Sequence, residues 1–239
     1  MGPASDDASA TAAVQGYGSV EFTAATRTAI TRLQTTMTVP AKPPASGTLF
    51  LWPGLEPLRN SANYDPIDLG VLQPVLTWGS TCAPTAPNTY ASWWISAQYV
   101  NTYGSDTGFT GCQGGQGIDV AVGDTLDIDM ALAGTVWDQT VTDRQTGGVA
   151  TFSIDMQGQA QDWALFIIES DGSKPVSDVI FTHTTITLAD SDPTACQPSA
   201  RGQTDYFAPP RASIDGTKCC VSKIILRASG VAATSPDTP

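Results

Sequence analysis

Few side chains in this sequence carry chemistry, and their spacing sets aside most familiar catalytic arrangements. One histidine is present, His183, inside the apolar run VIFTHTTITL. A serine nucleophile would need it as base, and no G-x-S-x-G turn accompanies it. Cys82, Cys112, Cys196, Cys219 and Cys220 form no C-x-x-C pair. With a single His the chain reads as metal-free, because zinc sites draw on several Cys and His at short spacing. TGCQGGQG (110–117) lacks the Lys-Ser/Thr ending and the strand-to-helix context of a phosphate loop, and reads as a glycine-rich turn. Asp124, Asp127 and Asp129 could bind a hard cation, but alternation already explains them as a solvated strand face. Trp93 and Trp94, with Tyr90 and Tyr99 nearby, are adjacent on a strand and must point to opposite faces. That suits a groove for peptide, sugar or pigment as well as it suits two packed layers. With 23 acidic residues, spacing alone specifies no glycosidase-like carboxylate pair.

The elements that would position such groups are strands. Short alternating runs separated by Gly, Pro, Asn and Asp recur at 47–52, 69–78, 90–100, 124–132, 135–143, 149–156, 162–169, 178–188 and 221–228. That spacing is the pattern of an all-β, two-sheet antiparallel β-sandwich. In 124–132, Leu126, Ile128 and Met130 point one way, Asp127 and Asp129 the other. Residues 1–20 read as a flexible tail, 21–190 as the sandwich, and 191–239 as an extension with a Cys-rich loop, a final strand and a tail. A chain of 239 residues forms such a sandwich as one domain.

The net charge of -12 repels nucleic acid and anionic membranes. No run of about 20 apolar residues appears, and the N-terminus carries no secretory signal pattern. The chain therefore reads as soluble, and as secreted if a leader has been removed. Five cysteines leave one thiol over. The pairings read are Cys82 with Cys112, and Cys196 with Cys219 or Cys220.

One set of motifs goes further. In order, MTVPAKPP (37–44), LFLWPGLEP (49–57), GVLQPVLTWG (70–79), YASWWISAQYV (90–100), VAVGDTLDIDM (120–130), VTDRQTGGVATFSI (141–154), WALFIIES (163–170) and VIFTHTTIT (179–187) resemble the fungal glutamic peptidases, the eqolisins. The likeness covers about residues 37 to 188 and implies a concanavalin A-like sandwich with a catalytic Gln/Glu dyad on its concave face. By motif the dyad falls on Gln73 and Glu169, with Trp52 beside it. Glu169 shares strand parity with Trp163, Leu165 and Ile167, an apolar row expected to raise its pKa. Ile95 stands where the family pattern carries an acid, and Glu56 where it carries an aspartate. Pro74, following Gln73, removes a ladder N–H and predicts an edge or bulge there.

The resemblance implies an acid endopeptidase that activates water and needs no metal or cofactor. Two alternatives accompany it. One is a catalytically silent relative holding a small apolar ligand, pigment or peptide in a groove lined by Trp52, Glu56, Trp93, Trp94 and Ile95. The other is a lectin-like carbohydrate binder. The oligomeric state is not specified by the sequence.

Overall fold

The computed structural model describes residues 18–43, 47–57, 70–83, 85, 87, 89–101, 111–172, 175–197, 199–201, 204–206 and 210–230. Its strands in chain order are β1 (Gly18–Ala25), β2 (Ile30–Thr38), β3 (Thr48–Glu56), β4 (Val71–Gly79), β5 (Thr89–Asn101), β6 (Gly111–Gly114), β7 (Ile118–Val120) and β8 (Thr125–Ala133). They continue as β9 (Val136–Asp143), β10 (Val149–Asp155), β11 (Trp163–Asp171), β12 (Val179–Leu188), β13 (Ser199–Arg201), β14 (Thr204–Tyr206), β15 (Arg211–Ala212) and β16 (Lys218–Leu226). One 3-10 turn, Ala228–Gly230, follows.

These strands form two antiparallel sheets of eight. The first, sheet A, runs β13-β1-β11-β3-β4-β5-β6, with β7 also on β5. The second, sheet B, runs β10-β9-β8-β2-β12-β16-β14, with β15 also on β16. The two-sheet sandwich expected from alternation is the architecture observed. Residue parity explains it: Leu126, Ile128 and Met130 of β8 are buried while Asp127 and Asp129 are not. Across the sandwich, Phe166 of β11 meets Phe181 of β12 edge to face, ring centroids 5.1 Å apart, a favoured aromatic geometry.

Some boundaries differ from the sequence reading. β1 starts at Gly18 and pairs along β11, inside the span read as a tail. Residues 1–17 and 231–239 lie outside the described residues. β16 lies between β12 and β14 in sheet B, so the chain beyond 191 supplies an integral strand. On the way, β13 pairs with β1 at the edge of sheet A, while β14 and β15 pair with β16 in sheet B. This long segment therefore links both sheets, and two devices hold its start. Cys196 is bonded to Cys219, and the Asp192 carboxylate accepts the Arg27 N–H at 2.8 Å.

A second disulfide joins Cys82 to Cys112 on β6, and Cys220 remains a free, exposed cysteine. Two disulfides suit an oxidising, extracytoplasmic compartment. No helix among the described residues is long and apolar enough to cross a membrane.

Several turns are tied by aspartates. Asp143, at 0% exposure, accepts the Thr146 hydroxyl at 2.6 Å and the Gln145 N–H at 2.9 Å. Burial pushes its pKa up, but these hydrogen bonds outweigh burial and hold it below the usual carboxylate range. Asp215 is pushed down to about 2 by hydrogen bonds from Ser213 and Thr217. A depressed carboxylate stabilises the fold above its unfolded pKa of about 3.9, and the contribution fades as pH falls through the lower folded value. The melting temperature should therefore change little from pH 7 to about 4 and fall below that. Asp143→Ala should destabilise by about 1–2 kcal/mol at neutral pH, with a smaller difference from wild type at pH 2. Equal differences at both pH values in thermal melts would refute this account.

Candidate active site on the outer face of sheet A

The site begins with two prolines. In the β3–β4 ladder, register pairs run from Leu49↔Trp78 to Leu51↔Leu76 and resume at Leu55↔Leu72. Carrying the register through the gap sets Pro53 opposite Pro74. Neither has an N–H, so both hydrogen bonds of that rung are missing. Pairing is kept on the far sides, Pro53↔Phe166 and Pro74↔Ala97. The sequence expectation of an edge or bulge at Pro74 is corrected accordingly: β4 is an interior strand with no register shift against β3. It tolerates Pro74 because the partner is another proline, which confines the lost bonds to one open rung.

Side chains flanking that rung point away from the core. Leu49, Leu51 and Leu55 of β3, Leu72 and Leu76 of β4, and Phe166 and Ile168 of β11 belong to the inter-sheet core. Alternation sends Phe50, Trp52 and Gly54, Val71, Gln73 and Val75, and Leu165, Ile167 and Glu169 to the opposite face. There Trp52, Val71, Val75, Leu165 and Ile167 form a second apolar cluster, flanked by Phe50 and Trp163.

Gly54 shapes this face. A Cβ on it would stand 2.6 Å from the Trp52 ring and 3.1 Å from the Leu72 carbonyl oxygen. The indole therefore lies across the glycine, and its Nε1–H donates to Glu169 Oε2 at 3.1 Å. Glu169 pairs with Phe50, whereas Gln73 is level with Gly54 by the β3–β4 register. The two side chains thus stand two strands apart and four residues out of step, about 10 Å across and about 13 Å along the sheet at the backbone. Trp52 floors the space between them. Glu169 is half-buried, and Gln73 is 9% exposed. Among the described residues the Gln73 carboxamide has no hydrogen-bond partner, which leaves it available to an incoming group.

The remaining sequence candidates separate by parity. Glu56, 1% exposed, pairs with Trp163 on the same outer face, one step past the level of Gln73 and away from Glu169. Trp94 shares the outer face and is fully buried, its Nε1–H donating to the Gly79 carbonyl at 3.4 Å. Trp93 and Ile95 point into the inter-sheet core. They do not line the groove, and Trp93 stacks edge-on with Trp78 at 5.5 Å.

The residues of β5 that do face Gln73 are Ser96 and Gln98, which the sequence reading passed over. Gln98 pairs directly with Gln73, and its side-chain amide donates to Ser96 Oγ at 2.8 Å. Both are buried. Their signal was polar residues at alternate positions in an otherwise apolar strand. From sheet B, Gln139 donates to the Gln98 carbonyl at 2.9 Å and holds β5 in place below.

Other sequence features settle elsewhere. A depression of about 470 Å³ lies on the outer face of sheet B, lined by Asp127, Asp129, Thr140, Thr142 and His183 among others. Its acids are ion-paired, Asp127 with Arg144 at 2.6 Å and Asp129 with Arg32 at 2.5 Å. It is remote from Glu169 and offers no unneutralised acid, so sheet A carries the candidate chemistry. Asp124 Oδ2 accepts the Ala121 N–H within a turn. Among the described residues no group of three or more His, Cys, Asp or Glu could hold a metal ion. In the glycine-rich segment, a Cβ on Gly115 would overlap the Thr151 carbonyl oxygen, so that glycine permits close approach of the two sheets.

No protein-family model and no curated protein sequence matches the chain. Solved structures do. A Scytalido-glutamic peptidase with a peptide-based transition-state analogue aligns with TM-score 0.54 at 14% identity, over 87% of this chain and 97% of that one. SCP-B, an eqolisin-family peptidase in complex with the tripeptide Ala-Ile-His, aligns with TM-score 0.51 at 14% identity, over the same 87% and 97%. At this identity the likeness is one of fold: a glutamic-peptidase-like β-sandwich.

Gly54→Ala should force the indole of Trp52 off its seat and destabilise the protein by about 1–3 kcal/mol. In a Trp52→Ala background the same change should be nearly neutral. An equal penalty in both backgrounds, measured by denaturant unfolding, would break the proposed packing link.

Proposed function

We propose that the protein is an acid-active glutamic endopeptidase whose catalytic pair is Gln73 and Glu169. The observation that carries the reading is the Trp52 Nε1–H bond to Glu169. It fixes one carboxylate oxygen at the edge of an apolar face, on the same side of sheet A as Gln73. The solved peptidases of like fold support it.

In the proposed reaction a water hydrogen-bonded to Glu169 is deprotonated by its carboxylate as the water oxygen attacks the scissile carbonyl carbon. Gln73 Nε2–H donates to the carbonyl oxygen as it takes up negative charge. The protonated Glu169 then delivers its proton to the leaving nitrogen as the C–N bond breaks. Glu169 returns to the carboxylate, and no covalent intermediate forms. Trp52 keeps the carboxylate oriented through the cycle. Phe50 and Trp163, half-buried at the margin of the apolar cluster, offer contact to substrate side chains.

An unfolded protein substrate should be cut between pH 3 and 4 by wild type. Glu169→Gln should lower the rate about 100-fold or more, and Trp52→Phe, which loses one charge-assisted hydrogen bond, about 10-fold. Absence of cleavage by folded wild-type protein anywhere between about pH 2 and 5 would sink the reading.

A second reading draws on the same apolar cluster, a greasy face suited to a small ligand in a silent relative. It predicts added mass in a native mass spectrum of the purified protein together with no cleavage. A clean apo mass removes a tightly held ligand.

A further inference from the structure

The depression of about 470 Å³ on the outer face of sheet B takes no part in the proposed reaction. Two rungs of the sheet floor it. In the first, Thr140 of β9, Asp129 of β8, Gln34 of β2 and Thr185 of β12 follow one another across four strands. In the second, Thr142, Asp127, Thr36 and Thr182 do the same. Strands lie about 4.8 Å apart, so each rung presents hydroxyl, carboxylate and carboxamide groups side by side with no apolar side chain between them. The β12 margin is irregular. Its pairing with β2 slips by one residue between Thr182 and Thr185, a bulge that brings His183 to the depression. His183 has φ +54°, a left-handed conformation that costs a non-glycine residue energy. Thr35 pins the bulge from inside: its hydroxyl lies 2.8 Å from that of Thr184 and 3.3 Å from the Thr182 carbonyl oxygen.

The charges of the depression form closed pairs. Arg32 donates to both oxygens of Asp129, from Nε at 2.8 Å and from Nη2 at 2.5 Å. Arg144 grips Asp127 in the same way, at 2.6 and 2.7 Å, and the Thr36 hydroxyl donates to that carboxylate at 2.9 Å. A carboxylate in a two-pronged guanidinium contact is fixed in one orientation, and its oxygens keep acceptor capacity for a further donor. This selects among ligands. A metal ion or an ammonium group would meet carboxylates already neutralised, and a phosphate or sulfate would meet guanidiniums already spent. None of the residues lining the depression is aromatic, so the flat apolar surface that a stacked ring needs is missing. What fits is a neutral ligand that offers hydroxyls to the fixed carboxylates and accepts from the Gln34 amide and the threonine hydroxyls.

We infer that this face of sheet B is a second binding site, for a neutral saccharide, with Asp127, Asp129, Gln34 and His183 as its contact residues. The volume falls in the range of small-ligand sites, about 300–1,000 Å³. A chain of sugar rings lying along a rung would meet a polar group at every strand. The strain at His183 is then the cost of holding the imidazole at the ligand. The site is independent of the peptidase reading, since it lies across the core from Gln73 and Glu169. It would tether the protein to a polysaccharide or to the glycan of a glycoprotein while leaving sheet A open.

Titration calorimetry on the full protein at neutral pH tests this. The probes are maltohexaose, cellohexaose, laminarihexaose and mannohexaose for a polysaccharide source, and a high-mannose glycopeptide for a protein-linked one. At least one neutral probe should bind, and its arm identifies the source; a heparin hexasaccharide and spermine should not bind. Gln34→Ala should weaken the binding about five- to tenfold. His183→Gly should weaken it as well while raising the melting temperature, because glycine takes up a positive φ without strain. Glu169→Gln, on the opposite sheet, should leave binding unchanged. No binding by any neutral probe at millimolar concentration overturns the site. So does binding that survives both Gln34→Ala and His183→Gly in folded protein, or that is lost in Glu169→Gln, which would put the saccharide in the sheet A groove. Saccharide binding by a protein that cuts no peptide keeps this site and removes only the peptidase reading.

Discussion

Much of the site depends on a rung that cannot close. Pro53 and Pro74 face each other in the middle of sheet A, and together they delete both hydrogen bonds of one antiparallel pair. A lone proline there would leave one strand's carbonyl facing a missing donor and would bend the ladder toward a bulge. Two in opposition keep the register, so the strands stay aligned while losing their tie at one level. At that level the indole of Trp52 crosses Gly54, Gln73 projects with its amide uncommitted, and Glu169 is reached from β3 by Trp52 Nε1.

That arrangement holds only if the sheet beneath it is rigid. The inward faces of β3, β4, β5 and β11 bury a continuous apolar layer against sheet B, and Gln139 reaches from β9 to the backbone of β5 at Gln98. The paired register Gln73↔Gln98 passes this restraint to the catalytic candidate. At the other end of the chain, β16 is bonded into sheet B, and the Cys196–Cys219 disulfide holds the preceding loop to it. The terminal segment is thus part of the frame on which sheet A is packed.

Alternation made the strands legible, because a half-buried strand repeats every two residues: Leu126, Ile128 and Met130 announce β8 without further help. It also aligned Glu169 with Leu165 and Ile167 on one face. Alternation fixes relative parity and leaves open which face meets the core. For two adjacent tryptophans that ambiguity is complete: parity alone neither keeps Trp93 and Ile95 out of the groove nor brings Ser96 and Gln98 into it. Pro74 misled for a related reason. The rule that removes proline from central strands considers one chain, and the compensating Pro53 lies on a neighbouring strand whose register no local pattern reveals. The place of β16 in sheet B was hidden too, since strand order depends on pairings between distant residues.

The acidic composition takes on meaning beside this site. A carboxylate that must act as a base in acid works only if the fold survives there, and the fold's own carboxylates set that limit. Asp143 and Asp215 are held below the usual range by hydrogen bonds from their own turns, and Asp192 by hydrogen bonds from Thr194 and from the Arg27 N–H, so they keep their charge to lower pH than free aspartates do. Asp127 is held down chiefly by Arg144, with Thr36 also donating. Protonation also lowers the net negative charge toward zero near the sequence pI of about 4.2, which reduces self-repulsion in the range where ordinary carboxylates titrate. Local hydrogen bonds and a falling global charge therefore act in the same direction. Together they give the sandwich a window of stability in acid, the range in which the proposed peptidase reaction would run.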